Sequence, residues 1–244
     1  MCRQSAPQAV AADAAWLNRY LTRKVSGPED DPVRRLLAAL AVAALALAAA
    51  PTSQAVNTPW FARFVGNAAQ VISVVGVGGS QAKMDVWQRM ASGWQPLSVG
   101  IPAWVGSAGM TDESRDEYPA TPKGVFSLDF AFGTAPDPGG DLPYVQVGPD
   151  HWWDGDESSP TYNTMQVCRQ DECPFDTSAG ENLPMYTHAV VMGVNKERIP
   201  GRGGAFFLHD TDGGPTAGCV AIDDGTLLGV IRWLRPGALI AVAE

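Results

Sequence analysis

Two apolar segments near the C-terminus, separated by a glycine-rich loop, constrain the fold and the chemistry of this chain most strongly. The first segment ends in Phe207-Leu208-His209, and the second begins at Cys219. Short apolar runs bounded by glycine are typical of buried strands. Two adjacent strands joined by this short connection would bring His209 and Cys219 within reach of each other. Thiolate catalysis requires such a pair, although a buried cysteine is often only a core residue.

The N-terminal part of the chain carries an export signal. Residues 36–50 are an unbroken run of Leu, Ala and Val after Arg34-Arg35, and small residues up to Ala55 offer a cleavage site. We expect a signal peptide at 33–55. Translation is expected to start at Val33, which makes residues 1–32 a mis-assigned extension; the alternative is that they form a disordered leader. The apolar run is shorter than the ~20 residues of a membrane-spanning helix, and an uncleaved anchor is the alternative. The predicted location is extracytoplasmic, in the cell wall or periplasmic space, with no stable membrane span.

The acidic composition narrows the classes of partner. The 244 residues include 17 Lys and Arg against 26 Asp and Glu, which gives a net charge of −9. Nucleic acids and anionic lipids require a basic surface, so we expect neither as a partner. The length that follows the signal peptide suits one domain with a sizeable core, and we expect a monomer.

The cysteines divide into a predicted disulfide and a free thiol. Three cysteines follow the signal peptide, an odd number for an oxidising compartment. Cys168 and Cys173 are close enough in sequence to bridge a short loop, which leaves Cys219 unpaired and available for chemistry. A zinc site built from His188, His209, Cys219 and an aspartate is the alternative, but the spacing matches no metal motif, so no metal is predicted.

The remaining patterns predict a mainly β fold. Apolar or alternating runs indicate strands at 70–75, 84–89, 101–105, 125–130, 189–192 and 238–242. The first two strands form a predicted hairpin, and an N-terminal arm at 56–68 precedes them. One helix is predicted before the last strand. Asp223 or Asp224 caps it, Leu227, Ile231 and Leu234 form its apolar face, and Pro236-Gly237 end it.

Long polar loops separate these strands, and one of them is both acidic and aromatic. It carries Trp152 and Trp153, and Tyr162 and Asn163 follow it. Long loops in compact domains are often functional. We therefore predict that these four residues bind substrate, because exposed tryptophans stack on sugar rings or line a peptide groove. The alternative is that they only cover a sheet edge.

Four short signatures together resemble the catalytic domain of the L,D-transpeptidases (YkuD-type) of bacterial cell walls. They are Thr121-Pro122-x-Gly124, Phe207-Leu208-His209, Thr216-x-Gly218-Cys219 and Leu234-x-Pro236-Gly237. The resemblance spans residues 69–244 and implies a YkuD-like β-sandwich of mostly antiparallel strands. The chain departs from the family pattern in three respects. Ala217 replaces a histidine, Ala221 replaces the usual Arg or Asn, and the loop from His209 to Cys219 is short.

The resemblance also implies a mechanism. Cys219 would attack a peptidoglycan stem peptide and expel D-Ala, and the amine of a second stem would resolve the thioester to form a 3→3 cross-link. His209 would be the base, the N–H groups of Gly218 and Cys219 would face the oxyanion, and Thr216 would position the loop. This chemistry needs no metal or organic cofactor.

Two other functions stay open at this stage. If water resolves the thioester, the same site is an L,D-carboxypeptidase. If Ala217 and Ala221 mark a lost activity, the domain is a non-catalytic module that binds the cell wall. A papain-type peptidase is disfavoured, because in that class the cysteine precedes the histidine in the chain.

Overall fold

The computed structural model describes residues 58–244, and this part of the chain consists mainly of strands. In chain order they are β1 Gln70–Gly78, β2 Gln81–Met90, β3 Gly93–Trp104, β4 Met110–Thr111, β5 Thr121–Pro122, β6 Gly124–Gly133, β7 Tyr144–Gln146, β8 His151–Trp153, β9 Met165–Val167, β10 Glu181–Asn182, β11 Ala189–Met192, β12 Phe207–Asp210, β13 Val220–Ile222 and β14 Leu239–Ala243. The helix α1 is Asp224–Trp233, and 3₁₀ helices lie at Trp60–Arg63 and Leu183–Met185. The predicted leader at 1–32, with the signal peptide at 33–55, lies outside the described residues.

The main sheet closes on itself. Its strand order is β11-β12-β13-β3-β2-β1-β14-β6-β7, and β11 also pairs with β6. Most neighbours are antiparallel, whereas β1 with β14, β12 with β13, and β6 with β7 are parallel. The prediction of a mainly β fold with one helix before the last strand is confirmed. In place of the expected sandwich of two sheets, the strand pairing describes a closed, barrel-like sheet, because β11 joins β12 to β6.

The β1–β2 hairpin illustrates how the sequence pattern sets the sheet. The two strands are antiparallel, with Val74 opposite Met84, which confirms the predicted hairpin. Along β2 the apolar side chains Ala82, Met84 and Val86 are buried, and Lys83 between them is exposed. This alternation places one face of the strand against the core, as a period of two requires.

Helix α1 begins and ends where the sequence predicts. The Asp223 carboxylate accepts a hydrogen bond from the Thr226 N–H at 3.0 Å, which caps the first turn. Leu227 and Ile231 are buried in the core, and the helix ends before Pro236. Among residues 58–244, no helix combines the length and the apolar character needed to cross a membrane.

The predicted disulfide between Cys168 and Cys173 is present, directly after β9. It closes a loop of charged residues, and its two cysteines lie five positions apart in the sequence. Within the described part of the chain, Cys219 is the only free cysteine, and it is buried.

We expect Cys168→Ser to lower the free energy of unfolding by about 2 kcal/mol, because the short cross-linked loop restricts the unfolded chain. Urea unfolding under non-reducing conditions measures this loss. Cys173→Ser should lose the same amount, and the double variant should lose no more than either single variant. Additive losses from the two substitutions would contradict a shared bond.

Candidate active site

The structure brings His209 and Cys219 to the same cleft. Strands β12 and β13 are parallel neighbours, with Leu208 opposite Val220 and His209 opposite Ala221. His209 is the third residue of β12, and Cys219 directly precedes β13. Both residues line a cleft of about 770 Å³. Because the two strands are adjacent, the Cys219 thiol and the His209 imidazole lie at the same cleft.

The loop between these strands is held against the edge of the sheet. A parallel crossover usually requires about a dozen residues or more, so this short connection must turn back sharply. The Thr216 N–H donates to the Val105 carbonyl at 3.0 Å, and the Ser107 N–H donates to the Thr216 carbonyl at 2.9 Å. Gly218 has a φ of +143°, and a Cβ there would lie 2.8 Å from the Phe206 ring. Only glycine fits this approach without strain.

Two threonine hydroxyls fix the Cys219 backbone. Thr216 Oγ1 donates to the Cys219 carbonyl at 2.7 Å, and Thr121 Oγ1 donates to the same oxygen at 3.2 Å. Thr121 is fully buried and also accepts the Gly106 N–H at 2.9 Å. The Gly218 N–H, which the resemblance assigns to the oxyanion, donates to Thr216 Oγ1 at 3.1 Å. The Cys219 N–H makes no hydrogen bond within residues 58–244, so this group is the donor that the loop leaves available.

We expect Thr121→Val to lower the free energy of unfolding by about 1–3 kcal/mol, because it keeps the side-chain shape but leaves the buried Gly106 N–H without an acceptor. Urea unfolding followed by circular dichroism measures this loss. Thr58→Val, at an exposed threonine, is the matched control and should leave the stability unchanged. A loss no larger than that of the control would show that the hydroxyl contributes no stability here.

The Cys219 thiol is buried and neutral at rest. The residue is 7% exposed, and Sγ accepts the Phe207 N–H at 3.3 Å while the thiol donates to the Ala205 carbonyl at 3.5 Å. Burial raises the pKa of the thiol well above its ordinary value, and the charge of Glu181 raises it further. The Phe207 N–H and the Tyr186 hydroxyl act on this pKa in the opposite direction. A thiol therefore predominates over a thiolate at neutral pH.

The His209 ring is held in one tautomer. Its Nδ1 lies 2.6 Å from the backbone carbonyl oxygen of Asp210. A carbonyl oxygen only accepts, so Nδ1 carries the proton and Nε2 keeps the free lone pair of the neutral ring. Burial lowers the pKa of His209, so the neutral base predominates at neutral pH. The Asp210 carboxylate points elsewhere and accepts the backbone N–H of His188 at 3.1 Å.

The thiol and the imidazole are both neutral, and they are not bonded to each other at rest. No hydrogen bond between His209 and Cys219 is found in the described part of the chain. His188, which the zinc alternative used, instead pairs through Nδ1 with Asp224 Oδ1 at 2.9 Å. Over residues 58–244, no group of three or more His, Cys, Asp or Glu side chains is arranged to hold a metal ion. The arrangement suits general-base chemistry, in which the proton leaves sulfur as the bond to carbon forms.

Two further cleft residues, Glu181 and Tyr186, have no signature in the sequence. The Tyr186 ring lies edge-on to the His209 ring, with centroids 5.0 Å apart, and its hydroxyl forms a short hydrogen bond with the Glu181 carboxylate. Burial raises the pKa of both groups. Glu181 lies in the two-residue strand β10 and Tyr186 directly follows a 3₁₀ helix. This segment has no apolar periodicity, so no local pattern indicates that the two residues line the cleft.

The four residues predicted to bind substrate are all buried: Trp152, Trp153, Tyr162 and Asn163. Trp153 packs edge-on against Phe207 at 5.1 Å, and its Nε1 donates to Asn163 Oδ1 at 2.8 Å. The Tyr162 hydroxyl donates to Asp116 Oδ1 at 2.8 Å. Their low exposure leaves little ring face for stacking on a sugar, but Trp153 and Tyr162 do line part of a second cleft next to the first.

A second cleft of about 540 Å³ adjoins the first and is strongly acidic. Both clefts are lined by Asp116, Glu117 and Glu181, and the second also by Asp156 and Glu157. The negative charge of Asp116 raises the pKa of Glu157. Within the described residues, Arg115 is the only Lys or Arg that lines either cleft. Such a concentration of negative charge attracts cationic ligands.

Comparisons of this chain with protein-family models, with curated proteins and with solved structures find no match. The function is therefore indicated by the residues of the two clefts and by the sequence signatures around Cys219 and His209. These signatures meet in space, since Thr121, Thr216 and Cys219 are directly hydrogen-bonded.

Proposed function

We propose that this protein is an exported cysteine acyltransferase of the L,D-transpeptidase type, which forms 3→3 cross-links between peptidoglycan stem peptides. One observation carries the proposal: Cys219, on a loop whose shape requires glycine at 218, lines the same cleft as His209 in strand β12. The sequence signatures support it, and so does the helix that precedes the last strand. The finer assignment to the YkuD-like fold is part of the same proposal.

In the first half-reaction, the protein would take the acyl group of a donor tetrapeptide. Cys219 Sγ attacks the carbonyl at the L,D bond while His209 Nε2 takes the thiol proton. The carbon–sulfur bond forms, the carbon–nitrogen bond breaks, and D-Ala leaves with the proton from His209. The Cys219 N–H, which makes no hydrogen bond within residues 58–244, would donate to the oxyanion, an interaction that contributes about 3–4 kcal/mol in other acyl-transfer enzymes.

In the second half-reaction, the amine of a neighbouring stem would resolve the thioester. The acceptor ammonium first loses one proton to solvent. The neutral amine nitrogen then attacks the thioester carbon, the amide bond forms as the carbon–sulfur bond breaks, and the second proton of the nitrogen passes through His209 to sulfur. The acidic second cleft favours this outcome over hydrolysis, because Asp116, Glu117 and Glu157 attract an acceptor that arrives as an ammonium. A neutral water molecule is not attracted to the cleft by this negative charge.

Incubation with purified disaccharide-tetrapeptide, followed by mass spectrometry, tests the proposal. The expected products are free D-Ala and a cross-linked dimer. Release of D-Ala with only monomeric tripeptide would instead assign an L,D-carboxypeptidase. An unchanged tetrapeptide in the presence of folded protein would contradict both activities and favour a module that only binds the cell wall.

A further inference from the structure

Resting on the proposed function, in which the Cys219 thiol is the nucleophile, we propose that Asn163 is a positioning residue for this thiol. Asn163 holds Ala205 in a left-handed backbone conformation, which directs the Ala205 carbonyl oxygen to the thiol hydrogen. The carbonyl then keeps the resting thiol in its S–H form. Asn163 belongs to none of the sequence signatures around the cysteine and lines neither cleft, so it acts on sulfur only through Ala205.

Ala205 has an unusual backbone conformation at the point where it meets the thiol. Its φ is +55°, a region that the Cβ of an L-residue disfavours. Its carbonyl oxygen accepts the thiol hydrogen, with Sγ of Cys219 at 3.5 Å. Conformations of this kind persist only where the surrounding structure enforces them, and they concentrate at functional sites. A neighbouring group must therefore hold Ala205 in place.

The amide of Asn163 is that group. Its Oδ1 accepts the Ala205 N–H at 3.1 Å and Nε1–H of Trp153 at 2.8 Å. Its Nδ2 donates to the carbonyls of Val194 and Asn195, both at 3.0 Å. These four bonds use both lone pairs of the oxygen and both hydrogens of the nitrogen, and the residue is 9% exposed. The amide cannot turn without breaking buried hydrogen bonds, so its oxygen is a fixed anchor for Ala205.

Gly204 provides the space that this anchor requires. A Cβ at position 204 would lie 2.7 Å from Asn163 Oδ1, so any side chain there would displace the amide oxygen. Gly204 and Ala205 line both clefts. The segment that Asn163 holds is therefore part of the site itself, although Asn163 lies behind it.

Two backbone groups from this segment act on sulfur in opposite directions. The Phe207 N–H donates to Sγ at 3.3 Å and favours the thiolate. The Ala205 carbonyl only accepts, so it favours the neutral thiol, which alone has a hydrogen to donate. Because the thiolate is the form that oxidants and alkylating agents attack, holding the carbonyl at sulfur protects the resting Cys219 in the oxidising compartment that export implies.

The S–H stretching band of Cys219 in the Raman spectrum measures this contact without any stem peptide. The band lies at lower frequency when the hydrogen is donated to an oxygen, and subtracting the spectrum of Cys219→Ala removes the contribution of Cys2. Asn163→Gly removes the amide and tolerates the φ of +57° at this position. We expect the band of this variant at higher frequency than that of the wild type, because Ala205 is no longer held against the thiol.

A second variant makes the same test without removing a hydrogen-bonding group. Gly204→Ala displaces the Asn163 amide by the added Cβ and should move the band in the same direction. Gly229→Ala is the matched control, because in helix α1 the added Cβ meets no atom within 4 Å. This control should leave the band at the wild-type frequency. Circular dichroism of each variant confirms that folded proteins are being compared.

Alkylation of Cys219 by iodoacetamide at about pH 8 measures the chemical consequence. We expect both test variants to react about three- to tenfold faster than the wild type. Losing a hydrogen bond to the neutral form lowers the thiol pKa, and each unit of pKa changes the thiolate fraction tenfold. The other ionisable residues of the cleft near the thiol are unchanged in both variants, namely Glu181, Tyr186, His209 and Asp210.

Two results would overturn the inference. The first is an S–H band that stays at the wild-type frequency in both Asn163→Gly and Gly204→Ala. The second is alkylation that is no faster in either variant than in Gly229→Ala. Both measurements use the protein without substrate, so failure to consume tetrapeptide would reject the proposed function and leave the contact between Ala205 and the thiol standing.

Discussion

Replacing Cys219 with alanine is expected to abolish the release of D-Ala from a disaccharide-tetrapeptide, with turnover falling by at least about 10⁴-fold. The sulfur is the atom that forms the thioester, and no neighbouring side chain can replace it. The substitution removes one buried atom from a cluster that includes Phe132 and Phe207. We therefore expect a stability cost of about 1 kcal/mol, far too small to unfold the protein.

Mass spectrometry of the intact protein gives a second measurement of the same prediction. The wild type should carry an acyl adduct after mixing with tetrapeptide, and Cys219→Ala should carry none. Cys173→Ser is a matched control, because it removes another sulfur from a loop that does not line the cleft. Turnover should persist in this control. Unchanged turnover in Cys219→Ala would exclude the thioester mechanism.

Local patterns in the sequence are sufficient to predict the strand and the helix that lie next to the site. Strand β12 and helix α1 follow from short-range periodicity and capping, since Asp223 caps the helix within one turn. The disulfide between Cys168 and Cys173 follows from their separation in the chain and from the odd number of cysteines. In each case the contact that fixes the element joins residues only a few positions apart, so residues that are close in sequence are also close in space.

The features that sequence analysis missed depend on contacts between distant segments. The sheet closes because Ala189 in β11 lies between Phe132 and His209, and no local pattern specifies both partners. The prediction that the acidic loop after β8 binds substrate assumes exposed tryptophans. Instead, Asp154 is fully buried and accepts hydrogen bonds from Ser159 at 2.6 Å and Thr161 at 2.7 Å. Internal partners for this charge allow the loop to bury its tryptophans.

Two of the three departures from the L,D-transpeptidase pattern, Ala217 and Ala221, lie at the site itself. Ala221 is directly opposite His209 in the strand register, and Ala217 lines the cleft. Neither alanine offers a polar group to the thiol. Glu181 and Tyr186, from a different segment of the chain, line the same cleft. The polar lining of the cleft therefore includes residues that the motif does not contain.

His209→Gln is expected to reduce the turnover of tetrapeptide by about 10²–10⁴-fold, because the glutamine amide cannot take the thiol proton. The wild-type rate should rise with pH through the lowered pKa of His209, as the neutral ring becomes the dominant form. That rise should be absent in the variant, whose residual rate should follow only the ionisation of the thiol. Rates measured from acidic to neutral pH distinguish the two curves. A variant that keeps the full wild-type rate would remove His209 from the mechanism.

The same residue gives a stability test that requires no substrate. Burial lowers the pKa of folded His209 below its ordinary value of 6.5, so near that pH the unfolded chain binds a proton that the folded protein does not. The contribution of the neutral ring is fully present above about pH 6.5, and it is lost as the pH falls through the folded pKa. The wild type should therefore lose more stability than His209→Gln when urea unfolding is compared at neutral and acidic pH. Equal losses would mean that the folded and unfolded pKa values of His209 do not differ, and that the ring is not held as the neutral base that the mechanism requires.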